Sequence, residues 1–242
     1  MTLQTKRMEI IQAQEEAQLA GKQFSPNSKL VKEYKQMLPA YLPFPLFLVS
    51  IGNMLGDVSL RRSTRTGDSA LKFEWGNKEY AYFMYSMYYD YVLSPPREQV
   101  RVNANGNKVT TYCFQTLAHP SFSVLHHMFI ISGKKTVPKG LMSNFLDPLA
   151  LAVWYMDDGN LTDYRPGHGQ GLQLNTQGFT VDTVNVMVEE INDKYDFGCW
   201  CRLVKGNKPI ICLPSESYPK FHALVKDYIH PSMKYKLPDP LA

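Results

Sequence analysis

Two carboxylates and two lysines recur in one register along this chain. Asp57 closes an apolar segment and Lys135, near a proline, follows it by 78 positions; Asp158 closes a second apolar segment and Lys236 follows it by the same 78. An acid at the C-terminal end of a helix opposes the partial negative charge there, a mismatch of roughly 0.3–1 kcal/mol near the surface. Two such acids brought together cost more. A divalent cation reverses the sign, because hard oxygen donors and the negative ends of helices suit Mg²⁺. The plain alternative is that Asp57 and Asp158 only cap exposed helix ends, but duplication of the pair in register favours a shared cation. A chain built as two copies of one unit, with the acids meeting on a pseudo-twofold axis, suits a nearly twofold substrate, and duplex DNA is one.

The elements that must position these groups also repeat. Ser25-Pro26-Asn27-Ser28 offers a helix start, followed by Leu30, Val31, Tyr34 and Leu38 at helical spacing. Leu46 to Gly56 then reads as an apolar helix ending at Asp57, and Pro148 opens the equivalent helix, Leu149 to Asp158, with Gly159 as its stop. Gly52 and Gly56 lie four apart on one face of the first helix and permit close approach of another backbone; Ala152 is the small residue expected at the contact from the second helix. Strands centred on Phe73-Glu74-Trp75 and Leu174-Asn175-Thr176 follow, each 16 residues past its acid. Helices then span Tyr80 to Leu93 and Val181 to Asn192. Hairpins turn at Asn105-Gly106 (Val100 to Ala104, Val109 to Gln115) and at Gly206-Asn207 (Cys199 to Val204, Ile210 to Leu213). Final helices lie near Phe122 to Ile130 and Tyr218 to Ile229. The fold class is therefore α+β: two pseudo-symmetric αββαββα units, each a four-stranded antiparallel sheet backed by helices, packed through the two acid-bearing helices. Residues 1–27 are read as a helical leader, 28–131 as the first unit, 132–145 as the linker and 146–242 as the second unit.

Composition limits the alternatives. At 242 residues with 44% apolar and 20% charged residues, the chain can bury a real core and is not disordered. The longest apolar stretch, Leu46 to Leu55, is too short to span a bilayer, so no membrane is expected. Cys113, Cys199, Cys201 and Cys212 lack the two-residue gap of a zinc knuckle or redox motif and read as packing in a reducing, intracellular setting. The net charge of +4 is uneven: residues 1–140 hold 17 Lys and Arg against 10 Asp and Glu, and residues 141–242 hold 9 against 12. With DNA as partner, the first half supplies more of the salt-sensitive attraction. The tyrosines from Tyr80 to Tyr91 are read as core or rim, and His126 and His127 as structural.

Leu151-Ala152-Val153-Trp154-Tyr155-Met156-Asp157-Asp158-Gly159 resembles the nine-residue motif of the LAGLIDADG homing endonucleases at its first, second, eighth and ninth positions, and Ser50 to Val58 keeps Gly52 and the acid Asp57. Residues from about 28 to 240 resemble the two-copy, monomeric form of that family. Pro26-Asn27-Ser28-Lys29-Leu30, Phe73-Glu74-Trp75, Leu93-Ser94-Pro95-Pro96, Met156-Asp157-Asp158-Gly159 and Tyr235-Lys236-Leu237-Pro238 bring it closest to a yeast mitochondrial, intron-encoded member. There are departures. Val58 stands in place of the motif's last Gly, and Val153 and Asp157 stand where small residues usually pack, so the second helix is expected to sit slightly farther out. Alignment with Asp57 and the following Gly159 favours Asp158 over Asp157 as the acid facing the metal.

The resemblance implies a site-specific endonuclease that hydrolyses one phosphodiester on each strand of duplex DNA. Asp57 and Asp158 would hold Mg²⁺, with the backbone carbonyls of Gly56 and Asp157 as further ligands; Mn²⁺ would substitute, and Ca²⁺ would support binding without cleavage. Lys135 and Lys236 match the family's basic residues beside the acids and would orient hydroxide or stabilise charge at phosphorus. Divergence between the copies implies a long asymmetric target read by one monomer. A two-stranded ribbon fits the major groove, and the side chains offered to DNA are Arg61, Arg62, Lys72, Arg101 and Lys108 in the first half and Arg165, Gln173, Asn175, Arg202, Lys205 and Lys208 in the second. Gly167-His168-Gly169-Gln170-Gly171 is read as a loop that orders on DNA. Alternatives are an intron maturase binding its host RNA and a DNA-binding protein without cleavage; intact acids and lysines favour cleavage. The mitochondrion is the compartment the resemblance implies.

Overall fold

The computed structural model describes residues 2–62, 67–102, 105–162 and 171–240. In chain order it contains α1 (Leu3–Leu19), α2 (Lys29–Met37), α3 (Phe44–Leu55), β1 (Ser59–Arg62), β2 (Ser69–Trp75), α4 (Lys78–Met87), β3 (Arg97–Val102), β4 (Lys108–Gln115) and α5 (Pro120–Phe129). A short hairpin, β5 (Ile130–Ile131) and β6 (Lys134–Lys135), and α6 (Leu141–Phe145) come next. The second copy is α7 (Pro148–Asp158), β7 (Gly159–Thr162), β8 (Gly171–Asn175), α8 (Val181–Tyr195), β9 (Trp200–Val204), β10 (Lys208–Leu213) and α9 (Tyr218–Val225). The αββαββα order recurs as expected from α3 and from α7. The two four-stranded antiparallel sheets share one plan, β1-β2-β4-β3 and β7-β8-β10-β9. Among the described residues no helix is long and apolar enough to cross a membrane.

Residues 1–43 with 60–123 form one compact unit, and residues 44–59 with 124–242 form the other. These limits differ from the repeat boundaries because α3 makes its main packing contact with α7. Both acid-bearing helices and all four residues of the repeated register therefore belong to the second unit.

In the first unit an aromatic core covers one face of the sheet: Phe73 stacks on Phe114 at 4.4 Å between ring centroids and meets Tyr88 at 4.9 Å, while Trp75 meets Tyr80 at 5.0 Å. That core ends α4 at Met87, well before Leu93. A 3-10 turn over Tyr89–Tyr91 instead swings Tyr91 and Val92 inward, where both are buried. The N-terminal leader is part of this unit. Arg7 on α1 is 2% exposed, donates to the Val92 carbonyl and, at 3.0 Å, to the Tyr85 hydroxyl, and lies 4.0 Å over the Tyr89 ring. Lys6 pairs with Glu33 on α2 at 2.7 Å. Arg7→Ala is expected to lower stability by about 2–3 kcal/mol, since it leaves a buried carbonyl unpaired and removes the packed stem. An unchanged thermal midpoint would show that α1 does not dock.

In the second unit, α6 lies within the stretch read as the connection between the halves. The Glu190 carboxylate of α8 accepts from the backbone N–H groups of Gly140, Met142 and Ser143, and Lys194 donates to the carbonyls of Met142 and Ser143. Side chains from a distant helix thus satisfy both ends of a five-residue helix too short to persist alone. At the hairpin between β9 and β10, Val204 pairs with Lys208 across a three-residue turn, in which Gly206 and Asn207 both adopt left-handed backbone (φ 80° and 55°).

Candidate active site

The α3–α7 contact brings the site together. A Cβ added to Gly52 would meet the Ala150 carbonyl at 2.5 Å and Val153 Cβ at 2.7 Å, and one added to Gly56 would meet Asp157 Cβ at 2.4 Å. The bulk of Val153 and Asp157 on α7 is thus received by the two glycines of α3, and the larger residues of the second motif fit without the helices parting. Asn53 Nδ2 donates to Asp157 Oδ2 at 3.0 Å across the same contact, so Asp157 is a buried interhelical group and not the acid that faces outward. Ala152 is fully buried, but helical spacing sets it off the stripe of Ala150, Val153 and Asp157 that meets α3.

Asp57 and Asp158 stand at the ends of these two helices. Asp158 is half-buried; Asp57 is exposed as a residue, yet enough protein surrounds its carboxyl to displace much of its water. Burial raises both carboxyls above the ordinary range, and for Asp158, pushed up to about 6, the charge of Asp57 adds to it. Lys135 and Lys236 oppose the rise in each case. Among the described residues no hydrogen bond or ion pair occupies either carboxylate.

Each lysine sits on the end of its own half's helix. Lys135 Nζ donates to the carbonyls of Gly56 (3.0 Å) and Val58 (3.3 Å), and Lys236 Nζ donates to those of Met156 (2.7 Å) and Asp157 (3.3 Å). The ammonium groups satisfy terminal carbonyls and offset the negative helix ends. Burial holds both ammonium groups below their usual range, against the pull of Asp57, Asp157 and Asp158.

This donor set fits a hard divalent cation. Two carboxylates with free oxygens are held in an environment that penalises their charge, and cations already rest on the adjacent carbonyls. No cluster of three or more His, Cys, Asp or Glu side chains suited to a metal occurs among the described residues. The described residues therefore offer few ligands, a pattern Mg²⁺ tolerates because it keeps several waters and binds substrate phosphate oxygens. The carbonyls of Gly56 and Asp157 each already accept a lysine bond, which leaves one lone pair apiece.

The DNA-directed candidates separate by strand alternation. On the first sheet Lys72 and Arg101 lie on the face away from the aromatic core, where Glu74 accepts from Lys72 (3.4 Å), Thr111 (3.1 Å) and Arg101 (2.9 Å). Burial alone would raise the Glu74 carboxyl, but Thr111, Arg101 and Lys72 together hold it low. Lys108 alternates onto the other face, opposite Val102, at the turn end of the hairpin. Arg61 is exposed, and Arg62 donates to Ser69 Oγ at 3.1 Å. On the second sheet Arg202 donates to Gln173 Oε1 (3.0 Å), and Gln173 (3.0 Å) and Asn175 (3.4 Å) donate to Asn160 Oδ1. Lys205 lies in the hairpin turn and Lys208 opens β10, both exposed. Arg165 and residues 167–170 of the Gly-rich loop lie outside the described residues. Arg101 and Arg202 each lie 44 residues past their acid, and each reaches from an edge strand across its neighbour to the next strand. Glu74, Thr111, Asn160 and Asn53 were not singled out from sequence; an isolated polar residue inside an apolar helix, as at Asn53, was the one available signal.

The LAGLIDADG DNA endonuclease family model matches residues 47–221. The chain is 39% identical over 213 residues to "Probable intron-encoded endonuclease 1" of Wickerhamomyces canadensis, covering 88% of this chain and 91% of that protein. It is 32% identical over 192 residues to "Cytochrome b mRNA maturase bI2" of Debaryomyces hansenii, covering 77% of this chain and 71% of that one. A solved structure described as the homing endonuclease I-WcaI bound to its DNA recognition sequence superposes with a TM-score of 0.84 at 39% identity, covering 89% of this chain and 95% of that one.

Proposed function

The chain belongs to the LAGLIDADG DNA endonuclease family, and on that basis we propose that it is a site-specific double-strand DNA endonuclease of the intron-homing type. It acts as a monomer on a long asymmetric target and hydrolyses one phosphodiester in each strand. The observation that carries the reading is the meeting of α3 and α7, which sets two partner-free carboxylates beside two lysines anchored on the same helix ends. The likeness to a DNA-bound homing endonuclease over nearly the whole chain supports the substrate class.

Asp57 and Asp158 would hold the divalent cation, with the Gly56 and Asp157 carbonyls as further oxygen donors. A bound Mg²⁺ supplies a more acidic attacking water and neutralises charge at the phosphate and leaving oxygen. Lys135 and Lys236, held by carbonyls instead of by the acids, keep their remaining N–H bonds for phosphate oxygens that gain charge in the transition state. The polar sheet faces carrying Lys72, Arg101, Gln173, Asn175 and Arg202 read base edges, while Arg61, Arg62, Lys108, Arg165, Lys205 and Lys208 meet the backbone. Residence inside the cell, in the mitochondrion, belongs to the same proposal. A maturase role is the second reading, favoured by the maturase relative.

The test is a supercoiled plasmid set bearing intron-free insertion sites, incubated with protein and Mg²⁺, Mn²⁺ or Ca²⁺. Linear product with Mg²⁺ and Mn²⁺, and a gel shift without cutting with Ca²⁺, is expected; RNA binding without any cutting would favour the maturase. A pH series adds a sharper readout. With its carboxyl pushed up to about 6, Asp158 is about nine-tenths protonated at pH 5 and about one-tenth at pH 7. Cleavage at limiting Mg²⁺ should therefore rise across that interval, and more Mg²⁺ should move the rise to lower pH, because cation and proton compete for the same oxygens. A flat profile from pH 5 to 8 at limiting Mg²⁺ would remove Asp158 from the metal.

A further inference from the structure

Lys135 and Lys236 share one equivalent acceptor, the carbonyl of Gly56 in the first half and of Asp157 in the second, and reach it from different supports. Lys135 stands on β6, paired opposite Ile130 in a hairpin whose turn, Ser132 and Gly133, is left-handed at both residues (φ 50° and 76°). The next residue, Thr136, bonds back to the Phe129 carbonyl at 2.8 Å. Lys236 instead closes a single 3-10 segment, Pro231–Lys236. Its own carbonyl accepts the hydroxyl of Tyr155, which lies on α7 three residues before Asp158.

Tyr155 is built to hold that bond. Its ring is fully buried and edge-on to Phe221 at 5.1 Å between centroids. A Cβ on Gly159 would fall 1.9 Å from the ring's Cδ2. Gly159 itself has an ordinary extended backbone, φ −84° and ψ 151°, so glycine is needed there for the tyrosine ring and not for a left-handed turn. In the first motif the equivalents of Tyr155 and Gly159 are Met54 and Val58. The hydroxyl and the glycine that makes room for it are both missing together, and the hairpin does their work.

We propose that the Tyr155 hydroxyl is a positioning group for Lys236 alone, so that the cuts in the two strands rest on separate supports and Tyr155 governs one of them. The inference rests on the endonuclease reading given above. Tyr155→Phe removes only the hydroxyl, and Tyr218, whose hydroxyl donates to the Pro238 carbonyl at 2.5 Å, with buried Met233 and Leu237 still docks the segment.

The test follows Tyr155→Phe on a supercoiled plasmid carrying a site the wild type cuts, with each strand end-labelled. DNA affinity should hold and the thermal midpoint fall by only a few degrees, the loss of about one hydrogen bond, while nicked circles accumulate, the second cut being slowed about tenfold by loss of alignment. The slowed strand should be the one slowed by Lys236→Met and not the one slowed by Lys135→Met. A readout free of cleavage is acylation by an amine-reactive ester, mapped by peptide mass spectrometry: Lys236 labelling should rise severalfold in Tyr155→Phe with Lys135 unchanged. Equal slowing of both strands, linear product without nicked circles, or unchanged Lys236 labelling overturns the proposal. A wild type that cuts none of the sites refutes the endonuclease reading, and the labelling then decides the role of Tyr155 by itself.

Discussion

Asp57→Asn and Asp158→Asn should each abolish double-strand cleavage, slowing it by at least about 10³-fold, while the protein still shifts target DNA on a gel. Asparagine keeps the shape and one oxygen of the side chain but removes the negative charge that a hard cation needs, a loss of several kcal/mol at the transition state. The thermal midpoint should stay level or rise. Burial penalises both acids, and Asp158 also suffers the repulsion of Asp57, so the neutral variants relieve the folded state of a charge it holds at some cost. Retained activity joined to a lower midpoint would mean that the acids only finish their helices.

Gly56→Ala carries the second large effect. The added methyl would fall 2.4 Å from Asp157 Cβ and 2.8 Å from its Oδ2, so α3 and α7 must part or Asp157 must give up its bond from Asn53. Overpacking of this kind costs about 1–3 kcal/mol, which for a chain this long lowers the thermal midpoint by roughly 2–12 °C. Cleavage should fall further than stability alone explains, because the same movement displaces Asp57, the next residue, from Asp158. A Gly56→Ala protein with wild-type midpoint and full activity would show that the helices do not approach as described. Gly56→Ala with Asp157→Ala should recover part of the stability, since the second change removes the side chain the methyl meets.

Much of this fold is legible in the sequence, for local reasons. The apolar runs before Asp57 and Asp158, the alternation through Phe73-Glu74-Trp75 and the turn residues at 105–106 and 206–207 each bias their own short stretch of backbone. Their recurrence in the same order in both halves pointed to one four-stranded antiparallel sheet in each, while the strand order β1-β2-β4-β3 is set by which strands meet in the folded chain. What local pattern does not show are the features whose stability comes from elsewhere in the chain. Glu190 and Lys194 complete α6 from another helix. The aromatic core bends the chain at Tyr88 and ends α4 early, and Arg7 draws the leader helix onto the first unit.

At the site, the division falls between chemistry and placement. Sequence by itself determined which groups carry charge: two acids at helix ends and two lysines at a fixed interval, because residue type and spacing along one chain are visible there. Only the tertiary structure decided that Asp157 turns inward to Asn53 while Asp158 keeps its oxygens free, that each lysine rests on carbonyls and not on an acid, and that Tyr155 supports one lysine while a hairpin supports the other. Those outcomes depend on which surfaces meet when α3 lies against α7, and a contact between residues a hundred positions apart leaves no periodicity in the sequence of either.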